Sequence, residues 1–529
     1  MTDAAAAGMP PQRGILGWIE RVGNRLPDPV VLFLWLVGGL ILISIVAAAA
    51  GWSALHPTEV DPETGRQKLI AATSLISPDN IAKLWVDMPK TFTHFHPLGY
   101  VLVVMLGAGV AERTGLFGTA MRAAVRGASP RMLTPLVAFV AMMGNLAADA
   151  AYVVLIPLAA VIYHAAGRHP VAGIAASFAG VSGGFSANLL PGQLDALLFG
   201  ITEAAVETVF GEWSANIAGN WYFIAAMLFL FLPVIWYVTD RVIEPRLGAY
   251  VPAGLAAEGD AGERDRPLND GERKGLRHAG LAMLFVVGLW LFFTLGPGTP
   301  LINEDGPPEG RFTPLYQSLV AGFFLLFLLA GWAYGRATGI VGNHRDLVKM
   351  MSESMGDMAY YLVLAFAAAH FVAMFAWSNL GLILAVHGAD GLRAMDLPAP
   401  LLLAAIVLLT ALLNLFVGSA SAKWALLAPV LVPMLMLLGI SAEMTTAAYR
   451  VGDGATNIIT PLMVYFPLIL IFCQRWQPNF GLGSLAATML PYSIGMLIGG
   501  VALVALWVGL DLPLGPGASV HIPIPTAAP

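Results

Sequence analysis

Five charged residues sit where so apolar a chain should hold none: Asp149, Asp195, Lys423, Arg450 and Asp453. A charge at bilayer mid-depth costs roughly 2.5–3.5 kcal/mol on insertion scales, so each marks an ion path, a proton relay or a ligand's counter-charge. Arg450 and Asp453 are three residues apart, close enough on one helix face to pair or to share a ligand. Asp453 stands in Gly-Asp-Gly-Ala-Thr-Asn ahead of Pro461, a composition that predicts unwinding. Carbonyls freed there, with Asn414, Asp453 and Asn457, would offer hard oxygens to Na+. Asp195 and Asp453 are equally placed to carry a proton. Arg450 and Lys423, with the N-terminal dipole ends of half-helices, favour a carboxylate, although Lys423 has the alternative of snorkelling away. Ser421 and Trp424, three apart, are expected to turn a hydroxyl and a flat aromatic wall to one cavity. An aromatic carboxylate would use all of these groups.

The same stretches carry a repeat. Asn145 and Asn188 are 43 residues apart, and so are Asn414 and Asn457. Each pair brackets polar, Gly-rich sequence inside membrane-grade surroundings. Paired, Gly/Pro-interrupted apolar segments in two halves of a chain point to a transporter's substrate and coupling-ion site. All four asparagines are therefore candidates for cation or proton coupling, with capping of a helix break as the structural alternative for Asn145 and Asn188.

These elements must be held by membrane spans. The chain of 529 residues is 58% hydrophobic and 11% charged, against about 25% charged in soluble proteins. Simple spans, of about 20 residues each, fall near 29–50, 96–114, 218–239, 278–296, 313–336, 357–386 and 483–508. Regions 132–208 and 398–475 are longer and interrupted. Positive-inside bias puts Arg13, Arg21 and Arg25 inside, then Arg113, Arg122, Arg126 and Arg131, then Arg168. Residues 132–166 must therefore enter and return. The cluster from Arg241 to Arg277 falls inside, and residues 398–440 form a second hairpin opening from outside. The expected fold is an all-α polytopic membrane protein: nine transmembrane helices plus two oppositely oriented re-entrant hairpins, an inverted-topology repeat with broken helices.

Six regions follow: a cytoplasmic N-terminus (1–28), first scaffold helices with a long periplasmic loop (29–131), hairpin 1 and its broken helix (132–208), scaffold helices with the linker 240–277 (209–397), hairpin 2 and its broken helix (398–475), and the last helix with its tail (476–529). The tail 511–529, rich in Pro and Ala, is expected to be disordered. Loop 51–97 holds His56, His94 and His96, read as interfacial and not as metal ligands.

Other classes fare poorly. Cys473 is the one cysteine, so no intrachain disulfide forms. There is no basic nucleic-acid footprint and no phosphate-binding Gly-x-x-x-x-Gly-Lys motif. An intramembrane enzyme is disfavoured: Asp149 and Asp453 belong to opposite repeats, and no intramembrane histidine is expected to act as a base for Ser421. No cofactor is expected beyond a bound Na+.

Four stretches carry a resemblance: Gly-Asn-Arg-Leu-Pro-Asp-Pro at 23–29, Asn-Leu-Leu-Pro-Gly-Gln-Leu-Asp at 188–195, Gly-Ser-Ala-Ser-Ala-Lys-Trp at 418–424 and Tyr-Arg-Val-Gly-Asp-Gly-Ala-Thr-Asn at 449–457. They look like the AbgT family of p-aminobenzoyl-glutamate transporters, over essentially the whole chain. The resemblance implies a dimeric inner-membrane carrier with nine crossings and two hairpins, importing p-aminobenzoyl-glutamate or exporting p-aminobenzoate and sulfonamides. It places substrate and coupling positions at Asp195, Ser421, Trp424, Arg450, Asp453 and Pro461, and a Na+ site at Asn414, Asp453 and Asn457. The competing reading is a sodium-coupled dicarboxylate carrier, which shares the paired-hairpin design; Trp424 and the length of the match weigh against it.

Overall fold

The computed structural model describes residues 29–60, 66–125, 132–147, 151–211, 213–248, 267–296, 298–303, 311, 313–460, 463 and 465–524. Asp149, Pro461 and the N-terminal arginines lie outside these residues.

Length and composition decide the outer helices. Six are long and apolar enough to cross a membrane: Val30–Ala49, Trp221–Leu247, Asp270–Leu295, Leu319–Thr338, Ala359–Trp377 and Leu482–Gly509. At 1.5 Å per residue each covers the roughly 30 Å hydrocarbon core. His96–Arg113 is a further helix of 18 residues, packed along Leu319–Thr338. Asn269 caps the start of Asp270–Leu295 by accepting from the Glu272 N–H at 2.7 Å, which ends the linker before residue 270.

Several expectations need correction. The protein is not purely helical, because Ser53–Val60 and Gln67–Ala71 pair as an antiparallel β-hairpin in the long loop. The span 357–386 is two helices, Ala359–Trp377 and Leu380–Ala394, separated at Asn379, whose φ of 58° leaves the helical region. Residues 511–524 of the tail are ordered. Leu514 and Val520 are fully buried, and tail carbonyls accept backbone N–H groups of Tyr222 and Ser441 at 2.8 and 2.9 Å. Buried apolar side chains and satisfied backbone outweigh the tail's composition.

The inner elements are shorter: Leu133–Leu146, Ile156–Ala165, Pro170–Gly183, Ala399–Asn414 and Ala420–Met436. The first two belong to a segment that doubles back, since Thr134 near its start meets Tyr163 near its end at 2.7 Å. Arg168 fastens that base. Its Nη1 donates to Thr134 at 2.9 Å, its Nη2 to Asp240 at 2.5 Å and its Nε to Glu244 at 3.0 Å, with the guanidinium over the Tyr163 ring. The segment from Ala399 to Met436 also returns to its start, Arg393 Nη2 donating to the Leu437 carbonyl at 3.0 Å.

Between Gly183 and Gln193 the chain leaves the helix. Irregular backbone at this depth is tolerated where protein covers it, and Ser186, Ala187 and Asn188 are buried there. The second repeat behaves differently. Ala442–Asn457 is continuous through Gly452-Asp453-Gly454, so the expected unwinding at Asp453 does not occur; the helix ends only after Asn457. Packing overrides the poor helix propensity of glycine: a Cβ on Gly452 would stand 2.3 Å from the Val407 carbonyl oxygen of the neighbouring helix. Gly452→Ala is expected to destabilise the protein by about 1–3 kcal/mol through overpacking, read as a lower melting temperature in detergent.

Candidate functional site

The helix Gln193–Phe210 starts directly after the first break, and Asp195 lies in its first turn. Its Oδ2 accepts the Gly192 N–H at 2.7 Å, and its Oδ1 accepts from Arg450 Nη2 at 2.7 Å. Arg450 projects from the middle of Ala442–Asn457, its guanidinium carbon 5.9 Å from the centre of the Phe199 ring. Asp453, one turn on, faces Lys423, with Nζ 2.5 Å from Oδ1. The Arg450–Asp453 pair, one of the two arrangements their spacing allows, therefore does not form. Two other ion pairs do, one within the second repeat and one between repeats. All four side chains are at most 6% exposed, so Lys423 does not snorkel. Removing one partner of such a buried pair costs about 3–5 kcal/mol, because a lone charge stays behind.

The asparagines knit the breaks together. Asn145 Nδ2 donates to the Gly184 carbonyl at 3.0 Å, and Asn188 Nδ2 to the Met142 carbonyl at 3.3 Å. Neither has the positive φ of a left-handed cap. Asn414 Nδ2 lies 2.7 Å from the Asp453 carbonyl and 2.8 Å from Asn457 Oδ1, while its own Oδ1 accepts from Lys423 Nζ. Asn457 Nδ2 reaches the Ser182 carbonyl of the first repeat at 3.4 Å. Asn414, Asp453 and Asn457 thus do come together, but around an ammonium. Lys423 engages Asn414 Oδ1 and Asp453 Oδ1, and Asn414 engages Asn457 Oδ1, so an ammonium stands where Na+ was expected in this conformation.

A cavity of about 480 Å³ opens beside these groups, lined by Asn145, Asn188, Asp195, Ser421 and Arg450 among others. Val101, Met105 and Tyr361 from the outer helices also line it. Trp424 is not part of it. The indole is fully buried, donates from Nε1 to Thr202 at 3.0 Å and packs on Tyr449 with ring centres 4.4 Å apart. Of the residues expected to contact substrate, Asp195, Ser421 and Arg450 line the cavity; Asp453 and Trp424 stand behind it, and Pro461 lies outside the described residues.

Sequence reasoning missed several polar residues here. Ser186 and Tyr361 line the cavity, as do Glu112 and Asp357. Glu203 is 5% exposed and accepts from the Tyr100 hydroxyl at 3.0 Å. A glutamate in the apolar run after Asp195 was its available signal. His370 is buried within Ala359–Trp377, so the expectation of no intramembrane histidine is corrected; its Nδ1 is 2.7 Å from the Phe366 carbonyl and its Nε2 has no hydrogen-bond partner among the described residues, so it is not bonded to Ser421.

The family model of the AbgT transporter family matches residues 14–522. The p-aminobenzoyl-glutamate transport protein of Escherichia coli (strain K12) is 34% identical over 504 residues, covering 95% of this chain and 96% of that protein. Among solved structures, the Alcanivorax borkumensis YdaH transporter aligns with a TM-score of 0.84 and 42% identity, over 93% of this chain and 100% of that one. Neisseria gonorrhoeae MtrF, described as illuminating a class of antimetabolite efflux pumps, aligns with a TM-score of 0.87 and 41% identity, over 95% and 99%. The chain is accordingly a multi-pass membrane transporter, not an enzyme, and it belongs to the AbgT transporter family.

Proposed function

We propose that the protein is a secondary active carrier of aromatic carboxylates such as p-aminobenzoyl-glutamate or p-aminobenzoate, with sulfonamide efflux among its activities. It works by alternating access, as a homodimer in the bacterial cytoplasmic membrane, on a proton gradient. The observation that carries this reading is the cavity that holds the Arg450–Asp195 pair between the broken segments and the outer helices. The names of the Escherichia coli relative and of MtrF support the cargo.

The pair suggests how binding and coupling connect. An incoming carboxylate competes with Asp195 for Arg450. A displaced carboxylate so deeply buried is costly unless it takes a proton, so anion binding and protonation share one switch. Lys423 already fills the cation position among Asn414, Asp453 and Asn457, which favours H+ over Na+.

The nine-crossing reading counts the six long helices, His96–Arg113 and the two interrupted crossings. Arg168 joining Thr134 to Glu244 supports a first hairpin based on the face of residues 240–244. Arg393 joining Leu437 supports a second hairpin, and its base neighbours the β-hairpin and the tail. Those contacts suit opposite insertion of the two hairpins.

The test is flux of labelled p-aminobenzoate in proteoliposomes, with pH and Na+ gradients imposed separately. Flux that follows the pH gradient alone is expected. Dependence on Na+ alone would refute proton coupling, and no flux under either gradient would refute the cargo. Displacement of label by succinate more effectively than by unlabelled p-aminobenzoate would favour the dicarboxylate carrier.

A further inference from the structure

Four residues of the cavity wall each carry a buried polar atom without a protein partner. Among the described residues, Asn145 Oδ1, Ser186 Oγ, Tyr361 OH and Arg450 Nε make no hydrogen bond, and all four residues line the cavity. Buried polar groups are almost always satisfied, so a cluster of exceptions in one cavity is a place where a ligand supplies the missing partners.

The atom types restrict that ligand. Asn145 Nδ2 is committed to the Gly184 carbonyl at 3.0 Å, which leaves Oδ1 as a pure acceptor. Its partner must bring a hydrogen. Arg450 Nε is a pure donor and wants an oxygen.

The second repeat shows the same arrangement completed. Asn414, the counterpart of Asn145, gives its Nδ2 to the Asp453 carbonyl at 2.7 Å, and its Oδ1 receives a hydrogen from Lys423. Lys423 follows Asn414 by nine residues; the residue nine after Asn145 is Val154, which has no side-chain donor. The first repeat keeps the acceptor and lacks the donor.

We propose that Asn145 is a specificity-determining residue whose Oδ1 accepts an N–H from the cargo while Arg450 holds the cargo's carboxylate. The class selected is aromatic carboxylates bearing an amine, amide or sulfonamide N–H; plain benzoates and dicarboxylates bring no such donor. Ser186 and Tyr361, whose hydroxyls both donate and accept, serve the remaining polar groups. This inference rests on the reading of the cavity as the cargo site.

The experiment is equilibrium competition against labelled p-aminobenzoate on the purified full-length protein. Unlabelled p-aminobenzoate is compared with p-methylbenzoate, which has nearly the same shape and no N–H. The wild type should prefer the amine by at least about tenfold, as sites built to hydrogen-bond a polar group reject the analogue lacking it. Asn145→Ala should bring that ratio close to one while leaving p-methylbenzoate affinity nearly unchanged. A purely structural role for the Asn145–Gly184 bond would weaken both ligands alike and keep the ratio, which overturns the inference. If Asn145→Ala does not fold, the wild-type ratio decides by itself: equal affinity for the two ligands overturns it. Failure of the wild type to bind labelled p-aminobenzoate at all would instead refute the cargo reading, and the role of Asn145 with it.

Discussion

Replacing Arg450 with methionine will lower gradient-driven p-aminobenzoate flux by about a hundredfold or more. The guanidinium is 1% exposed and its Nη2 rests on Asp195, so its loss strips the cavity of its cation and strands a buried carboxylate. Stranding costs about 3–5 kcal/mol, and about 2.8 kcal/mol is already a hundredfold in an equilibrium. Folding and function are separated by adding Asp195→Asn, which removes the stranded charge. The double variant should melt close to the wild type in detergent and still fail to transport. Normal flux in vesicles from Arg450→Met would show that the cargo's anion is held elsewhere.

Lys423→Met carries the second large effect, and it is chiefly one of stability. The ammonium answers both Asp453 and the Asn414 amide oxygen, and Asn414 in turn ties the helix Ala399–Asn414 to Ala442–Asn457 through the Asp453 carbonyl and Asn457. Its removal should destabilise the fold by about 3–5 kcal/mol, seen as a lower melting temperature, with flux lost. Na+, but not choline at equal ionic strength, should recover part of the melting loss by entering the vacated oxygen set. A variant that melts like the wild type would mean that Asp453 is compensated by something other than Lys423.

Much of this site could be read from residue types. The matched asparagines and the mid-depth charges pointed to the segments that meet at the cavity, because buried polar groups in an apolar chain have few other reasons to exist. Which charge meets which was not legible. Spacing suggests the local partner, Arg450 with Asp453, whereas Arg450 reaches Asp195, 255 residues away in sequence. Local rules contain no term for such a contact. Gly452 and Gly454 likewise read as a break but sit in a helix, because what selects glycine at 452 is the carbonyl of Val407 and not chain flexibility. Trp424 looked like a cavity wall by its distance from Ser421, yet Thr202 and Tyr449 draw the indole away. Glu203 was passed over because its partner, Tyr100, lies on a distant helix. In the tail, Leu514 and Val520 were too few to register against Pro and Ala, although together they seal it to the protein.

The two ion pairs also determine what the membrane voltage can act on. Arg450 cancels Asp195 and Lys423 cancels Asp453, so the empty site contributes no net charge from these four groups. A potential of 100 mV is worth about 2.3 kcal/mol per elementary charge moved across the membrane, and these two pairs give it nothing to pull. An anionic cargo travelling with one proton adds none either, whereas the same cargo alone would make each cycle a current.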